Sequence, residues 1–127
     1  MARRKAITFT EVELEFMQVI WAKGEISTES LQNELKLQNR PLSDGSIRKI
    51  LSILMVKGHL NRRRQGKSFY YTPKILKNQG QKNIILDILK RAFDNSPFTM
   101  VAAILDTQNV TDKDIKDIKQ MIDNYKK

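Results

Sequence analysis

Residues 43–72 read SDGSIRKILSILMVKGHLNRRRQGKSFYYT, and a change of hydrophobic period within them decides the fold. Apolar residues recur every three or four positions from Ile47 to Met55, which predicts a helix that ends at Gly58. Beyond this glycine the period falls to two, and a basic run and a run of β-forming residues flank Gln65-Gly66-Lys67. The stretch therefore predicts a helix followed by a β-hairpin.

Two further helices are predicted upstream of this stretch. The first spans about 11–23, because Thr10 and Glu13 have capping-box spacing ahead of an apolar stripe. The second is capped by Ser27 and ends near Leu37, shortly before a proline. A hairpin is only marginally stable alone, so we expect it to pack on the helices. The predicted fold is mainly α with a small β-hairpin, in the order of a winged helix-turn-helix.

The third helix has an outer face, opposite its apolar stripe, that carries small, hydroxylated and cationic residues. In a winged helix this helix enters the major groove, where small residues allow close approach and Ser, Lys and Arg donate to phosphates and base edges. The alternative is an ordinary solvent-exposed face, which would more often include Glu. The predicted DNA contacts on the helix are Ser43, Gly45, Ser46, Arg48, Lys49 and Ser52.

The charge of the chain is concentrated around the hairpin. The 127 residues carry a net charge of +9, and the segment Lys36–Lys74, with ten cations and one anion, accounts for all of it. A localised basic patch is typical of a nucleic-acid surface, although a solvated lysine-rich face is the alternative. The predicted DNA contacts on the wing are Arg62, Arg63, Arg64 and Lys67. Phe69 and Tyr71 share a face and are expected to pack on the helices, whereas Tyr70 could pack or stack on bases.

Residues 76–127 are predicted to form a helical dimerisation domain after a DNA-binding domain in residues 1–75. Three short amphipathic helices are expected, one opened by Pro97, and the polar residues 77–81 indicate a hinge or a frayed helix start. Such helices, about 50 residues in all, bury too little surface alone, and a two-fold dimer is the commonest remedy. The alternative is packing onto the chain's own winged helix. The predicted interface residues are Ile84, Ile88, Phe98, Ile115, Ile118, Ile122 and Tyr125.

Several classes of function are disfavoured by composition. The chain has no cysteine and one histidine, so we expect no metal site, no cofactor and a structural role for His59. Without a glycine-rich phosphate loop or paired carboxylates, it is not expected to be an enzyme. The basic N-terminus Met1–Lys5 is followed by no apolar signal core, and no run is long enough to span a membrane. These features predict a cytoplasmic protein with no membrane partner.

The order of these motifs resembles the penicillinase-repressor (BlaI/MecI) family. The similar pieces are Phe9–Glu11, Val19–Trp21, Leu42–Arg48, Gly66–Lys67, Phe69 and Tyr71–Pro73. The resemblance covers about residues 7–75 well and the C-terminal part more loosely. It implies a cytoplasmic homodimeric repressor that binds palindromic operators, with Ser46, Arg48 and Lys49 on the recognition helix and residues 62–67 on the wing.

The resemblance also bears on the inducing signal. Copper-responsive members carry a cysteine-rich C-terminal metal motif, which a chain without cysteine cannot form. Antibiotic-responsive members are inactivated by cleavage of an Asn-Phe bond, and the matching position here is Ile104-Leu105. An identical cleavage signal is therefore not expected, and release by an upstream protease or by another inducing signal stays open.

Two other uses of a winged helix, protein docking and RNA binding, are alternatives to operator recognition. A protein-docking module would expose apolar residues on its recognition face, where only Val56 is apolar. An RNA-binding module would expose stacking aromatics, for which Tyr70 is the one candidate. The sequence therefore predicts a sequence-specific repressor that binds double-stranded operator DNA as a homodimer.

Overall fold

The computed structural model describes residues 8–125, so the basic run Met1–Lys5 lies outside the described residues. In chain order the elements are α1 (Glu11–Lys23), β1 (Ile26–Ser27), α2 (Thr28–Leu37), α3 (Asp44–Val56), β2 (Leu60–Gln65), β3 (Ser68–Pro73), α4 (Lys77–Ala92), α5 (Pro97–Leu105) and α6 (Asp112–Tyr125). The chain divides into two compact units, Met1–Ile85 and Leu86–Lys127. The predicted fold class, mainly helical with a small sheet, is confirmed.

The first three helices begin at side-chain caps. The Thr10 hydroxyl accepts the amide of Glu13 at 3.2 Å, and the Glu13 carboxylate accepts the amide of Thr10 at 3.1 Å. Ser27 caps α2 and Ser43 caps α3, each hydroxyl accepting the amide three residues later. These bonds satisfy amides that a helix start otherwise leaves unpaired, which is why the predicted starts are confirmed.

The core of the first unit lies where α1, α2 and α3 meet the sheet. Its buried members are Phe16, Met17, Val19, Ile20, Ile26, Leu31, Leu35, Ile47, Leu51, Leu54, Leu60 and Tyr71. Phe69 packs against this cluster from the same hairpin face as Tyr71, as predicted. His59 is buried beside Phe9, with ring centroids 4.6 Å apart, so the histidine is packed rather than exposed.

The sheet has three antiparallel strands in the order β1-β3-β2. Gln65 pairs with Ser68 across the two-residue turn, where Gly66 has a φ of 63°. A positive φ at the first turn position matches the twist of a hairpin and favours glycine. The sequence did not predict β1, because a two-residue strand has no period and Ser27 also serves as the cap of α2.

Of the two alternatives predicted for residues 77–81, a hinge or a helix start, the structure shows the helix start, because these residues form the first turn of α4. Gly80 is buried against Trp21, whose indole Nε1 donates to the carbonyl oxygen of Ile75 at 2.9 Å. A Cβ on Gly80 would lie 2.8 Å from two ring carbons of Trp21, so only glycine allows this approach. The first unit therefore continues to Ile85, ten residues beyond the predicted domain boundary.

The second unit contains the end of α4 together with α5 and α6. Pro97 opens α5 behind the cap Ser96, and Thr111 and Asp114 exchange backbone-to-side-chain bonds at the start of α6. The bonds from the Thr111 amide and hydroxyl lower the pKa of Asp114. No residue of α5 or α6 is buried. Within residues 8–125, no helix has the length and apolar content needed to cross a bilayer.

Candidate nucleic-acid interface

The outer face of α3 is the first part of the candidate interface. Each of the six residues predicted to contact DNA here is exposed (Ser43, Gly45, Ser46, Arg48, Lys49 and Ser52). The hydroxyls of Ser43 and Ser46 lie 3.0 Å apart, because both belong to the capping turn. Lys49 lies one turn further along, and no carboxylate among the described residues forms an ion pair with it. The helix thus presents small and donor groups to solvent.

Arg48 is oriented by an acid on its own helix. Its Nε donates to Asp44 Oδ2 at 2.7 Å across one helical turn. The bond uses one edge of the guanidinium and leaves other N–H groups available as donors. No partner was predicted for Asp44, although its i,i+4 spacing from Arg48 is typical of such an ion pair.

The hairpin of β2 and β3 divides its cations between two faces. Arg62 pairs with Tyr71 and Arg64 with Phe69, whereas Arg63 pairs with Tyr70, so the middle arginine points the other way. The Phe69 ring supports its two cationic neighbours, with guanidinium carbons 4.2 Å (Arg62) and 5.8 Å (Arg64) from its centroid.

A groove of about 380 Å³ joins α3 to this face of the hairpin. It is lined by Arg48, Ser52, Met55, Val56, Arg62, Phe69 and Tyr71. The structure therefore brings residues predicted separately on the helix and on the wing to one concave surface. Its walls combine hydrogen-bond donors with apolar side chains, which suits contact with nucleotide edges and sugars.

A second cavity, of about 400 Å³, brings Arg48 and the wing residue Lys67 together with the start of α2. Ser27, Thr28 and Gln32 supply polar groups to it. The carboxylates of Glu29 and Asp44 also line it, so the cavity as a whole has no excess of charge. The sequence had not indicated that α2 shares a surface with the wing.

Arg63 is held on the opposite side of the hairpin from Arg62 and Arg64. It forms two parallel bonds to Glu25, from Nε and Nη2, each at 2.8 Å. The bonds from Arg63 lower the pKa of the Glu25 carboxyl, so the carboxylate stays charged at neutral pH. The ion pair stabilises the fold only while Glu25 is charged. Its contribution to the free energy of unfolding is therefore lost as the pH falls through the pKa of Glu25 in the folded state. Sequence reasoning missed Glu25, which lies 38 residues from its partner.

The basic segment is thus partly neutralised by the chain's own acids. Four of its ten cations are ion-paired: Arg40 with Glu15, Arg48 with Asp44, Lys57 with Glu13 and Arg63 with Glu25. Among residues 8–125, no ion pair is formed by the other six, which are Lys36, Lys49, Arg62, Arg64, Lys67 and Lys74. Unpaired positive charge therefore lies on the outer face of α3 and on the wing.

The predicted dimer residues form a second candidate surface. Phe98 is 83% exposed and Tyr125 is 90% exposed, and Ile122 is also exposed. Ile84, Ile88, Ile115 and Ile118 are half-buried, and Ile84 falls within the first unit. The second unit thus leaves large apolar side chains facing solvent on α5 and α6.

The features that would favour docking or RNA binding are limited. On α3, Val56 is 74% exposed, and Ile53, which the sequence assigned to neither face, is exposed as well. Tyr70 is half-buried, and the guanidinium carbon of Arg63 lies 4.7 Å from its ring centroid. One face of the Tyr70 ring is therefore occupied within the chain.

The sequence is similar along most of its length to known repressors. A model of the penicillinase repressor family matches residues 9–124. The penicillinase repressor of Bacillus licheniformis is 28% identical over 97% of this chain and 95% of its own length. The methicillin resistance regulatory protein MecI of Staphylococcus aureus strain Mu50 is 24% identical over 93% of this chain and 95% of its own.

Two solved structures are similar as well. The solution structure of the DNA binding domain of the repressor BlaI has a TM-score of 0.53 and 34% identity, covering 61% of this chain and 93% of that domain. The monomeric form of Bacillus licheniformis BlaI, in complex with the blaP half-operator, has a TM-score of 0.50 and the same identity and coverage. The winged part of the fold thus has a counterpart of known structure.

Proposed function

This chain belongs to the penicillinase repressor family and is a DNA-binding transcriptional repressor, and we propose that it acts as a homodimer on a palindromic operator. The observation that carries the proposal is the set of exposed cations without carboxylate partners on α3 and the wing. The similar BlaI monomer binds a half-operator, which supports one winged helix per half-site here.

Within each half-site we expect the helix and the wing to make different contacts. The outer face of α3 enters the major groove, where Arg48, Lys49 and Ser52 can donate to base edges. On the wing, Arg62, Arg64 and Lys67 lie along the adjacent phosphates, where Arg and Lys neutralise backbone charge. The shared groove between Arg48 and Arg62 supports a single continuous footprint.

The C-terminal helices α5 and α6 form the proposed dimer interface. Because no residue of α5 or α6 is buried while Phe98, Ile122 and Tyr125 are exposed, these helices need a partner surface. A second copy offers the same apolar residues across a two-fold axis, and a two-fold protein axis matches a palindromic operator.

A regulatory role follows from the family, and we propose no catalytic role. We place the protein in the cytoplasm, where operator DNA is accessible. An inducing signal, including an upstream protease, would act on residues 97–110, because loss of pairing there lowers operator affinity without altering α3.

The proposal is tested by selecting duplexes from a random or genomic DNA pool with the full chain. We expect an inverted repeat with half-site centres about one helical turn apart, or a multiple of it. If the dimer neutralises about 6–10 phosphates, affinity for the selected duplex should fall ~10³–10⁵-fold between 50 and 200 mM salt. Binding that ignores salt, or that favours single-stranded RNA over every duplex, contradicts the proposal.

A further inference from the structure

The guanidinium of Arg63 forms three hydrogen bonds within the chain. Nε and Nη2 donate to the two carboxylate oxygens of Glu25, each at 2.8 Å, and Nη1 donates to Gln65 Oε1 at 2.7 Å. The group also stacks over Tyr70, with Cζ 4.7 Å from the ring centroid. All three guanidinium nitrogens therefore have partners on neighbouring parts of the first unit.

These contacts cross the whole sheet. Arg63 lies on β2 and faces Tyr70 on β3, while Tyr70 faces Ser27 on β1. Glu25 directly precedes β1, in the link from α1. The ion pair thus joins the outer strand of the wing to the segment between α1 and α2.

This link adds to a short ladder between β1 and the hairpin. Strand β1 has only two residues, so its ladder with β3 supplies few hydrogen bonds. A bidentate arginine–carboxylate pair is geometrically more specific than a single bond, and its planar fork restricts orientation. The pair is therefore placed to set the angle of the hairpin.

We infer that Arg63 and Glu25 are a positioning pair, which holds the wing so that Arg62, Arg64 and Lys67 reach DNA while Arg63 itself does not. The inference rests on the proposed function and assigns Arg63 a role other than the DNA contact that was predicted for it from the sequence. Any contact with phosphate that required the guanidinium to turn away from the sheet would break these three hydrogen bonds and remove the group from the Tyr70 ring.

The two roles predict opposite effects of the Glu25→Gln change on binding to the duplex selected by the wild-type chain. If the pair positions the wing, Glu25→Gln weakens binding about two- to fivefold, which is the range of a half-exposed ion pair. If Arg63 contacts phosphate, releasing it from Glu25 tightens binding. Unchanged or tighter binding overturns the inference.

The charge-reversed double variant Glu25→Arg with Arg63→Glu gives a second test. A positioning pair re-forms in the opposite sense, so affinity returns to within about twofold of wild type. The slope of log affinity against log salt stays unchanged in Arg63→Ala, whereas the matched control Arg64→Ala lowers it by about one. A slope lowered by about one in Arg63→Ala, or a double variant weaker than either single variant, overturns the inference.

Hydrogen exchange of the hairpin amides tests, in the absence of DNA, whether the pair of Arg63 and Glu25 holds the hairpin in place. Exchange in residues 60–73 should be faster in Glu25→Gln and Arg63→Ala, and unchanged in Lys67→Ala, which removes a cation from the turn between β2 and β3. Equal exchange in all variants contradicts the positioning role, and the same measurement reports on the pair if the double variant folds poorly. A wild-type chain that binds no duplex would instead refute the proposed function, with the exchange pattern still testing the pair.

Discussion

Lys49 and Arg64 are both exposed and free of ion pairs among the described residues, but they lie on different elements of the interface. Lys49→Ala should weaken the selected operator more than an unrelated duplex, by ~1–3 kcal/mol, because a base-edge contact is lost. Arg64→Ala should weaken both duplexes about equally, because phosphates carry no sequence. Parallel titrations of both duplexes check this, and identical behaviour of the two variants would refute the division between helix and wing.

For individual residues, the sequence predicts the exposure and the contacts that depend on local spacing. It does not predict contacts that form only in the tertiary structure. The exposed face of α3 follows from helical periodicity, and the pair of Asp44 with Arg48 could have been predicted from its spacing. The pair of Glu25 with Arg63 could not, because it forms only after β1 has joined the sheet. Burial of Tyr71 and packing of Phe69 followed from alternation along one strand.

At the scale of elements, the contact of α4 with α1 gives a direct test of packing. Gly80→Ala should lower the free energy of unfolding by about 1–2 kcal/mol, since overpacking against Trp21 outweighs the gain in helix propensity. Urea unfolding, followed by far-ultraviolet circular dichroism and by the fluorescence of the single tryptophan, measures this. Gly45→Ala on α3 is the matched control, because a Cβ there meets nothing within 4 Å and should leave stability equal or higher. Equal stability of both variants would contradict the account of α4.

The helices whose starts were predicted have a local sequence motif at that start. The start of α4 has no such motif. Caps at Thr10, Ser27 and Ser43 are local hydrogen bonds, so they could be predicted from short motifs. The start of α4 could not be distinguished from a hinge by sequence, because residues 77–81 are polar and include glycine. Packing on Trp21 stabilises that turn, and no local pattern indicates a partner so distant in sequence.

At the scale of the whole molecule, the net charge predicted a polyanionic partner. It did not predict which of the cations would be available to contact that partner. The basic segment predicted a polyanion, yet four of its cations are paired within the first unit. The acids that pair with Arg40, Lys57 and Arg63 lie on or just after α1, outside the segment that the charge count singled out. Which cations face DNA therefore follows from the ion pairs of the folded chain and not from the net charge.

The central claim is that dimerisation through these helices supplies operator affinity, and the Ile122→Asp variant tests it most directly. Ile122 is exposed in the chain, so an aspartate there should leave the protomer folded while placing a charge in the proposed interface. Gln120→Asp, also exposed on α6 and on the opposite side of the helix, adds the same charge as a control.

The measurement is sedimentation of wild type, Ile122→Asp and Gln120→Asp, with operator titrations of each at matched salt. We predict that wild type and Gln120→Asp sediment as dimers. Ile122→Asp should sediment as a monomer and bind the operator ~10²–10⁴-fold more weakly, with its half-site preference retained. A dimeric Ile122→Asp variant with undiminished operator affinity would contradict the account and place the dimer interface away from the face of α6 that contains Ile122.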